Sequence, residues 1–267
     1  MHCASSIDSK ERAFQMGFDI HIVGAGRGGT SLLMGLLDSH PGCEIMSEAL
    51  STQFLMGRTW TSAELLSKAE ARVRGRTENF IRACEQESQK HVGKLWGHKT
   101  TTEHILALEN VSPESPFSHS EATLAEARRF DSLTLFVSLT KHLPTIFILR
   151  DGRTCIRSKI QRTGQPVETA LARWRYSVQV MKRYQREADR FTVVRFEDLV
   201  EQPERELRRI CEFLNLEFTP AMFDGTQNKK LQPEYRQQGF NLKATKAGSE
   251  TWIDGIEPEL RELGYIS

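Results

Sequence analysis

The sequence predicts an α/β fold, a central parallel sheet flanked by helices in one domain. Three observations carry that prediction. Short apolar runs alternate with longer stretches of helical periodicity, a glycine-rich turn joins the first run to the first helix, and every polar motif follows directly on an apolar run. Ligands of open parallel sheets gather at the carboxyl ends of the strands, so the last observation also locates a site. With 267 residues, 27% charged and 39% apolar, the chain suffices for one large domain.

The first strand covers Ile20, His21, Ile22 and Val23. Residues 24–29 turn the backbone tightly, and Leu32, Leu33, Leu36 and Leu37 recur at helical spacing up to Asp38. A helix entered this way turns unpaired N–H groups and the positive end of its dipole into the loop, which suits a nucleotide phosphate. The spacing Gly24-x4-Gly29-Thr30-Ser31 follows the P-loop pattern, with threonine where that pattern has its phosphate-binding lysine. This argues against an ordinary ATP- or GTP-using enzyme, because such enzymes place that lysine on the transferring phosphates. The positive charge stands at Arg27 instead. A tight glycine turn in an unrelated α/β protein looks the same, so the loop needs support from elsewhere in the chain.

His40-Pro41-Gly42 stops the helix, and residues 43–47 have the length of a second strand, with Glu48 at its end. From 54 to 90 the pattern is helical and heavily charged, with Arg72, Arg74 and Arg76 around Gly75, and reads as a solvated helical insertion. Leu95 and Trp96 open a third strand ending at Lys99-Thr100-Thr101-Thr102, whose threonines can cap the next helix. Residues 111–120, rich in proline and serine, form a loop that is either a lid or a surface connection. A helix is expected over 121–143, then a central strand over the apolar run 145–149, a helix pair, and a strand over 191–195.

The second motif, Arg150-Asp-Gly-Arg-Thr-Cys-Ile-Arg-Ser158, begins where the central strand ends. Asp151 is placed to cap the following helix, and Arg150 and Ser158, slightly more than two turns apart, can face one ligand. A guanidinium fork and a hydroxyl suit a dianionic phosphate, and Arg153, Arg157, Lys159 and Arg162 add positive potential. A basic surface helix is the plain alternative, but it does not explain the pairing with the first loop.

Together, Arg27 before Gly28-Gly29-Thr30-Ser31 and Arg150-Asp-Gly-Arg before Ser158 resemble the two phosphate motifs of sulfotransferases that use 3′-phosphoadenosine-5′-phosphosulfate (PAPS). The resemblance runs from about residue 19 to 252 and is closest in spacing to tyrosylprotein and bacterial sulfotransferases. It implies one P-loop nucleotide-binding domain over 18–267, within which the charged helical stretch at 54–90 is an insertion; residues 1–17, polar and short of apolar side chains, are expected to be a flexible N-terminus. It also implies that Arg27, Gly28, Gly29, Thr30 and Ser31 hold the 5′-phosphosulfate and that Arg150 and Ser158 hold the 3′-phosphate.

By the same resemblance Lys99 contacts the bridging oxygen, and Glu48 is the base that takes the acceptor proton. Aryl and steroid members carry a histidine base two residues after that lysine; Thr101 stands there, which moves the assignment to Glu48. Read without the resemblance, Glu48 is a loop glutamate, and His98 and His104 are structural histidines at other offsets. The lysine-rich segment 228–252 offers Lys243 or Lys246 as a donor contact with Trp252 as anchor, or else is a solvated loop. Arg195-Phe-Glu-Asp-Leu199 resembles the family's late Tyr/Phe-Glu-Asp-Leu segment, for which capping and packing serve nearly as well as a functional role.

The activity so implied moves a sulfuryl group from PAPS to an acceptor hydroxyl, whether tyrosyl, small-molecule or glycan, without a metal, leaving 3′-phosphoadenosine-5′-phosphate (PAP). Tyrosylprotein sulfotransferases carry an arginine two residues after the base; Leu50 stands there, which tells against a peptide acceptor. Two other readings stay open: a P-loop small-molecule kinase using Mg-ATP with Asp151 on the metal, and a non-catalytic PAP-binding module. The net charge of +1 gives nothing to draw nucleic acid or an anionic membrane. No apolar run reaches membrane-spanning length and the first residues lack a signal-peptide core, so a cytoplasmic location is expected. The five scattered cysteines read as free thiols, and the oligomeric state, a homodimer included, is open.

Overall fold

A computed structural model describes residues 18–57, 67–109, 130–233, 236, 240 and 250–267. Among them five strands, β1 (Ile20–Gly24), β2 (Cys43–Met46), β3 (Leu95–Thr101), β4 (Thr145–Leu149) and β5 (Phe191–Arg195), form one parallel sheet in the order β2-β3-β1-β4-β5. Helices α1 (Thr30–Asp38), α2 (Ala49–Phe54), α3 (Ala69–Ser88), α4 (Thr102–Leu106), α5 (Ser132–Thr140), α6 (Gly152–Thr163), α7 (Val167–Glu187), α8 (Phe196–Glu201), α9 (Pro203–Leu214) and α10 (Glu257–Glu262) cover it.

Strand alternation divides the core. Ile20 and Ile22 meet Leu33, Leu36 and Leu37 of α1 and Leu207 and Ile210 of α9 on one face. Val23 shares the other face with Phe80 of α3, Phe136 of α5 and Tyr184 of α7. Fully burying one such side chain contributes about 1.5–3 kcal/mol. The central strands β1 and β4 are buried along their whole length, as covering both faces of a parallel sheet requires.

Register sets where the site forms. Gly24 lies opposite Thr101 on one side and Ile148 on the other, so β1, β3 and β4 end at one level. Gly24 leaves no room for a side chain, since a Cβ there would come within 2.7 Å of the Ile148 carbonyl oxygen. On the β2 side Met46 is opposite His98, which brings Glu48 beside Lys99 and α4.

Several expectations are corrected. The charged helix near residue 70 is not a solvated surface. Arg72 and Arg76 are buried, their guanidiniums on the carbonyls of Ser67 and Phe54, because Val73, Phe80, Ile81 and Cys84 bring α3 into the core. Thr101 makes no capping hydrogen bond to α4. In its place Glu103 reaches back to the first loop. The helix expected over 121–143 spans Ser132–Thr140 where it is described, and Asp131 starts it by accepting the Thr134 N–H at 2.9 Å. Residues 1–17, the loop at 111–120 and both Lys243 and Lys246 lie outside the described residues. Cys43, Cys84, Cys155 and Cys211 are buried free thiols. Among the described residues no helix is long and apolar enough to cross a membrane.

Candidate active site

The loop between β1 and α1 is shaped by two left-handed residues. Gly29 has φ 102°, and a Cβ there would fall 2.4 Å from the Phe196 ring, so only glycine fits. Arg27 has φ 68°, which a side chain adopts at a cost of roughly 1–2 kcal/mol. The first backbone bond of α1 runs from Leu33 N–H to the Gly29 carbonyl at 3.1 Å, so the helix leaves the amides of Thr30, Ser31 and Leu32 unused. With the dipole behind them they form an anion-binding end. Gly28 contributes differently: its N–H closes the turn on the Ala25 carbonyl at 2.8 Å.

A cleft of about 480 Å³ opens over this loop. Of the residues singled out by sequence, Arg27, Gly29, Thr30, Ser31, Glu48, Lys99 and Arg150 all line it. Ser158 does not, but its hydroxyl accepts from Arg27 Nε at 3.2 Å and so ties the second motif to the first. Arg150 adds another tie by donating from Nη1 to the Arg27 carbonyl at 3.0 Å.

Arg150 is fixed from several sides. Nε donates to Thr154 Oγ1 at 3.0 Å, and the guanidinium lies 4.4 Å above the Phe196 ring. Burial lowers its pKa, with the neighbouring Arg27 adding to that effect. No carboxylate pairs with Arg150 among the described residues. A half-buried guanidinium held this way favours an anion in the cleft. The late Phe-Glu-Asp-Leu segment supports the same turn: Phe196 packs under Arg150, and Glu197 accepts the Asp151 N–H at 3.0 Å. Burial raises the Glu197 pKa.

The expected cluster of cations on α6 is mostly neutralised. Arg153 pairs with the capping Asp151 at 2.6 Å, Arg157 with Glu250 at 2.5 Å, and Lys159 with Glu103. Arg162 lines the cleft with Arg173 of α7, and neither has a carboxylate partner among the described residues. Arg173 and Glu103 were missed by the sequence reading. Glu103 is now the floor of the loop: Oε2 accepts the Gly26 N–H at 2.9 Å while Oε1 holds Lys159. Burial raises its pKa, but the Lys159 ammonium and the Gly26 amide outweigh this and hold it below the usual carboxylate range.

At the opposite wall the buried Lys99 donates to Ser31 Oγ at 3.2 Å and pairs with Glu48 Oε1 at 2.6 Å. Glu48 is half-exposed to the cleft, and its second oxygen lies 3.8 Å from His104 Nε2. A cation therefore stands between the loop and an accessible carboxylate. Lys230 also lines the cleft, but it is held by Asp38 at 2.7 Å and Glu44 at 2.5 Å and fastens the late segment to α1 and β2. Among the described residues no group of three His, Cys, Asp or Glu side chains could hold a metal ion.

The chain is similar to known proteins over most of its length. A family model described as the sulfotransferase family matches residues 19–220. Protein-tyrosine sulfotransferase 1 of Danio rerio is 25% identical over 215 residues, covering 76% of this chain and 54% of the relative. Protein-tyrosine sulfotransferase of Drosophila melanogaster is 26% identical over 218 residues, covering 76% and 39%. The chain thus spans about half or less of the length of these curated relatives. Among solved structures, the sulfotransferase domain from the Synechococcus PCC 7002 olefin synthase aligns with a TM-score of 0.61 at 19% identity over 95% of this chain and 97% of that one, a likeness of fold. With a family match over most of its length, this chain belongs to the sulfotransferase family.

Proposed function

We propose that the protein transfers a sulfuryl group from PAPS to an acceptor hydroxyl. The observation that carries this reading is the single cleft lined by Arg27, the open amides of α1, Arg150, Lys99 and Glu48. That lining fits a doubly phosphorylated, sulfated nucleotide: Arg150 and the α1 amides flank the loop, and Lys99 paired with Glu48 stands at the opposite wall. The donor supplies an activated S–O bond, which breaks as a new one forms to the acceptor oxygen, the electron pair leaving with the phosphate.

This chain's own residues do the rest. Arg27 and the amides of Thr30 and Ser31 hold the 5′ end, and Arg150 holds the 3′-phosphate. Lys99 stabilises charge developing on the leaving oxygen, and Glu48 takes the proton of the acceptor hydroxyl. The chemistry needs no metal, since arginine, lysine and backbone amides supply the positive charge that magnesium gives in phosphoryl transfer.

The test is transfer of labelled sulfate from PAPS, in the presence of a chelator, to a tyrosyl peptide, 4-nitrophenol and a simple sugar. Wild type should label one class of acceptor, and Glu48→Gln should lose turnover while keeping PAP affinity. Full activity of Glu48→Gln would sink the base assignment, and phosphoryl transfer from magnesium-ATP would sink the whole reading.

A further inference from the structure

Arg27 stands in the left-handed region, and a non-glycine residue keeps that conformation only where its surroundings over-determine it. On the downstream side the second motif holds it. The Arg27 carbonyl accepts from Arg150 Nη1 at 3.0 Å, and Arg27 Nε donates to Ser158 Oγ at 3.2 Å. Upstream lies Gly26, which has no side chain to limit its backbone. Its N–H donates to Glu103 Oε2 at 2.9 Å, and its carbonyl meets the weak donor Cys155 Sγ at 3.8 Å. The carboxylate also fills the space beside it, since a Cβ on Gly26 would lie 3.0 Å from Glu103 Oε1.

Lys159 keeps that carboxylate in place. It holds the other oxygen of Glu103, is itself only 1% exposed, and lines the cleft together with its partner. A lone carboxylate here would be drawn toward water or take up a proton. The paired one stays charged and fixed under the loop.

We propose that Glu103, held by Lys159, is a positioning residue for Arg27: by fixing the Gly26 peptide it sets the backbone from which the guanidinium reaches the 5′-phosphosulfate. The proposal rests on the sulfuryl-transfer reading and adds to it a residue that acts through Arg27. Because the pair is neutral as a whole, it contributes little to anion binding, and Arg150 and the α1 amides remain to hold the nucleotide. What it supplies is alignment. In-line transfer is more sensitive to a small misplacement than nucleotide binding is, so the effect belongs in turnover.

The first arm of the test needs no variant. In the ligand-free protein, amide hydrogen exchange read by NMR and corrected for intrinsic rates should be at least about a hundredfold slower at Gly26 than at Thr30, whose amide the helix leaves unused. Equal exchange at the two positions would overturn the proposal.

The second arm uses Glu103→Leu/Lys159→Met, which removes both charges and strands neither. With whichever acceptor of the panel is labelled, kcat should fall about tenfold while PAP affinity stays within about threefold. In the Arg27→Ala background the same two substitutions should cost nothing further in kcat. Unchanged kcat, or an equal loss with and without Arg27, would overturn the proposal and leave the sulfuryl-transfer reading standing. Phosphoryl transfer from magnesium-ATP by wild type would overturn both.

Discussion

Glu103 and Lys159 form an ion pair directly beneath the anion loop, with Lys159 only 1% exposed and the same carboxylate holding the Gly26 amide. One acidic side chain from the first turn of α4 thus sets the height of the loop and neutralises a lysine that would otherwise be a buried lone charge.

Removing one partner should be worse than removing both. Glu103→Gln should cost about 3 kcal/mol in urea unfolding, since it strands the Lys159 ammonium. The double substitution Glu103→Leu/Lys159→Met should recover most of that loss. If the double variant is no more stable than the single, the pair is not the source of the penalty.

The structure explains which parts of the site the sequence made legible. The β1 loop and the Arg150 turn are local, each a strand end followed by a helix start, so spacing alone places their residues. Glu103 meets Lys159 across 56 positions and Ser51 meets His104 across 53, contacts created by strand order and invisible to local pattern. The same limit misjudged the cations of α6. Their type and periodicity read as positive potential, while Asp151, Glu250 and Glu103, which neutralise three of them, come from the helix cap, the late segment and α4. Arg72 and Arg76 misled for another reason: carbonyl partners let buried guanidiniums stand in a helix whose composition looks exposed.

Lys99 is held between Ser31 and Glu48, so its loss should be felt in turnover before binding. Lys99→Ala should lower kcat roughly a hundredfold or more, the usual effect of removing one preorganised charge at a transition state. PAP affinity should change by less than about tenfold, because Arg27, Arg150 and the loop amides remain. A large fall in affinity with unchanged kcat would assign Lys99 to ground-state binding.

Acid should destabilise the fold through two histidines beneath the sheet. Burial lowers the His21 pKa to about 3 and pushes that of His98 well below its ordinary value, with His21, His104 and Lys99 adding to the latter. Both rings contact Thr100 Oγ1, at 3.2 and 3.1 Å, and His21 Nδ1 and His98 Nε2 have no partner among the described residues. Between pH 6.5 and about 3 the unfolded chain binds protons that folded His21 refuses, so stability rises with pH across that window and is lost as pH falls. The slope should be about 1.4 kcal/mol per pH unit from His21 alone. Urea unfolding of wild type and His21→Gln at pH 7 and pH 5 measures it; equal pH dependence in the two proteins would contradict the assignment.

The most direct test of the central claim is calorimetric titration of wild type and Arg150→Ala with PAP in the presence of a chelator, and separately with magnesium-ATP. The account predicts metal-free binding of PAP that is tighter than that of magnesium-ATP and is weakened at least about tenfold by the substitution, which removes a half-buried guanidinium with no carboxylate partner among the described residues. Preference for magnesium-ATP, or PAP binding indifferent to Arg150, would contradict it.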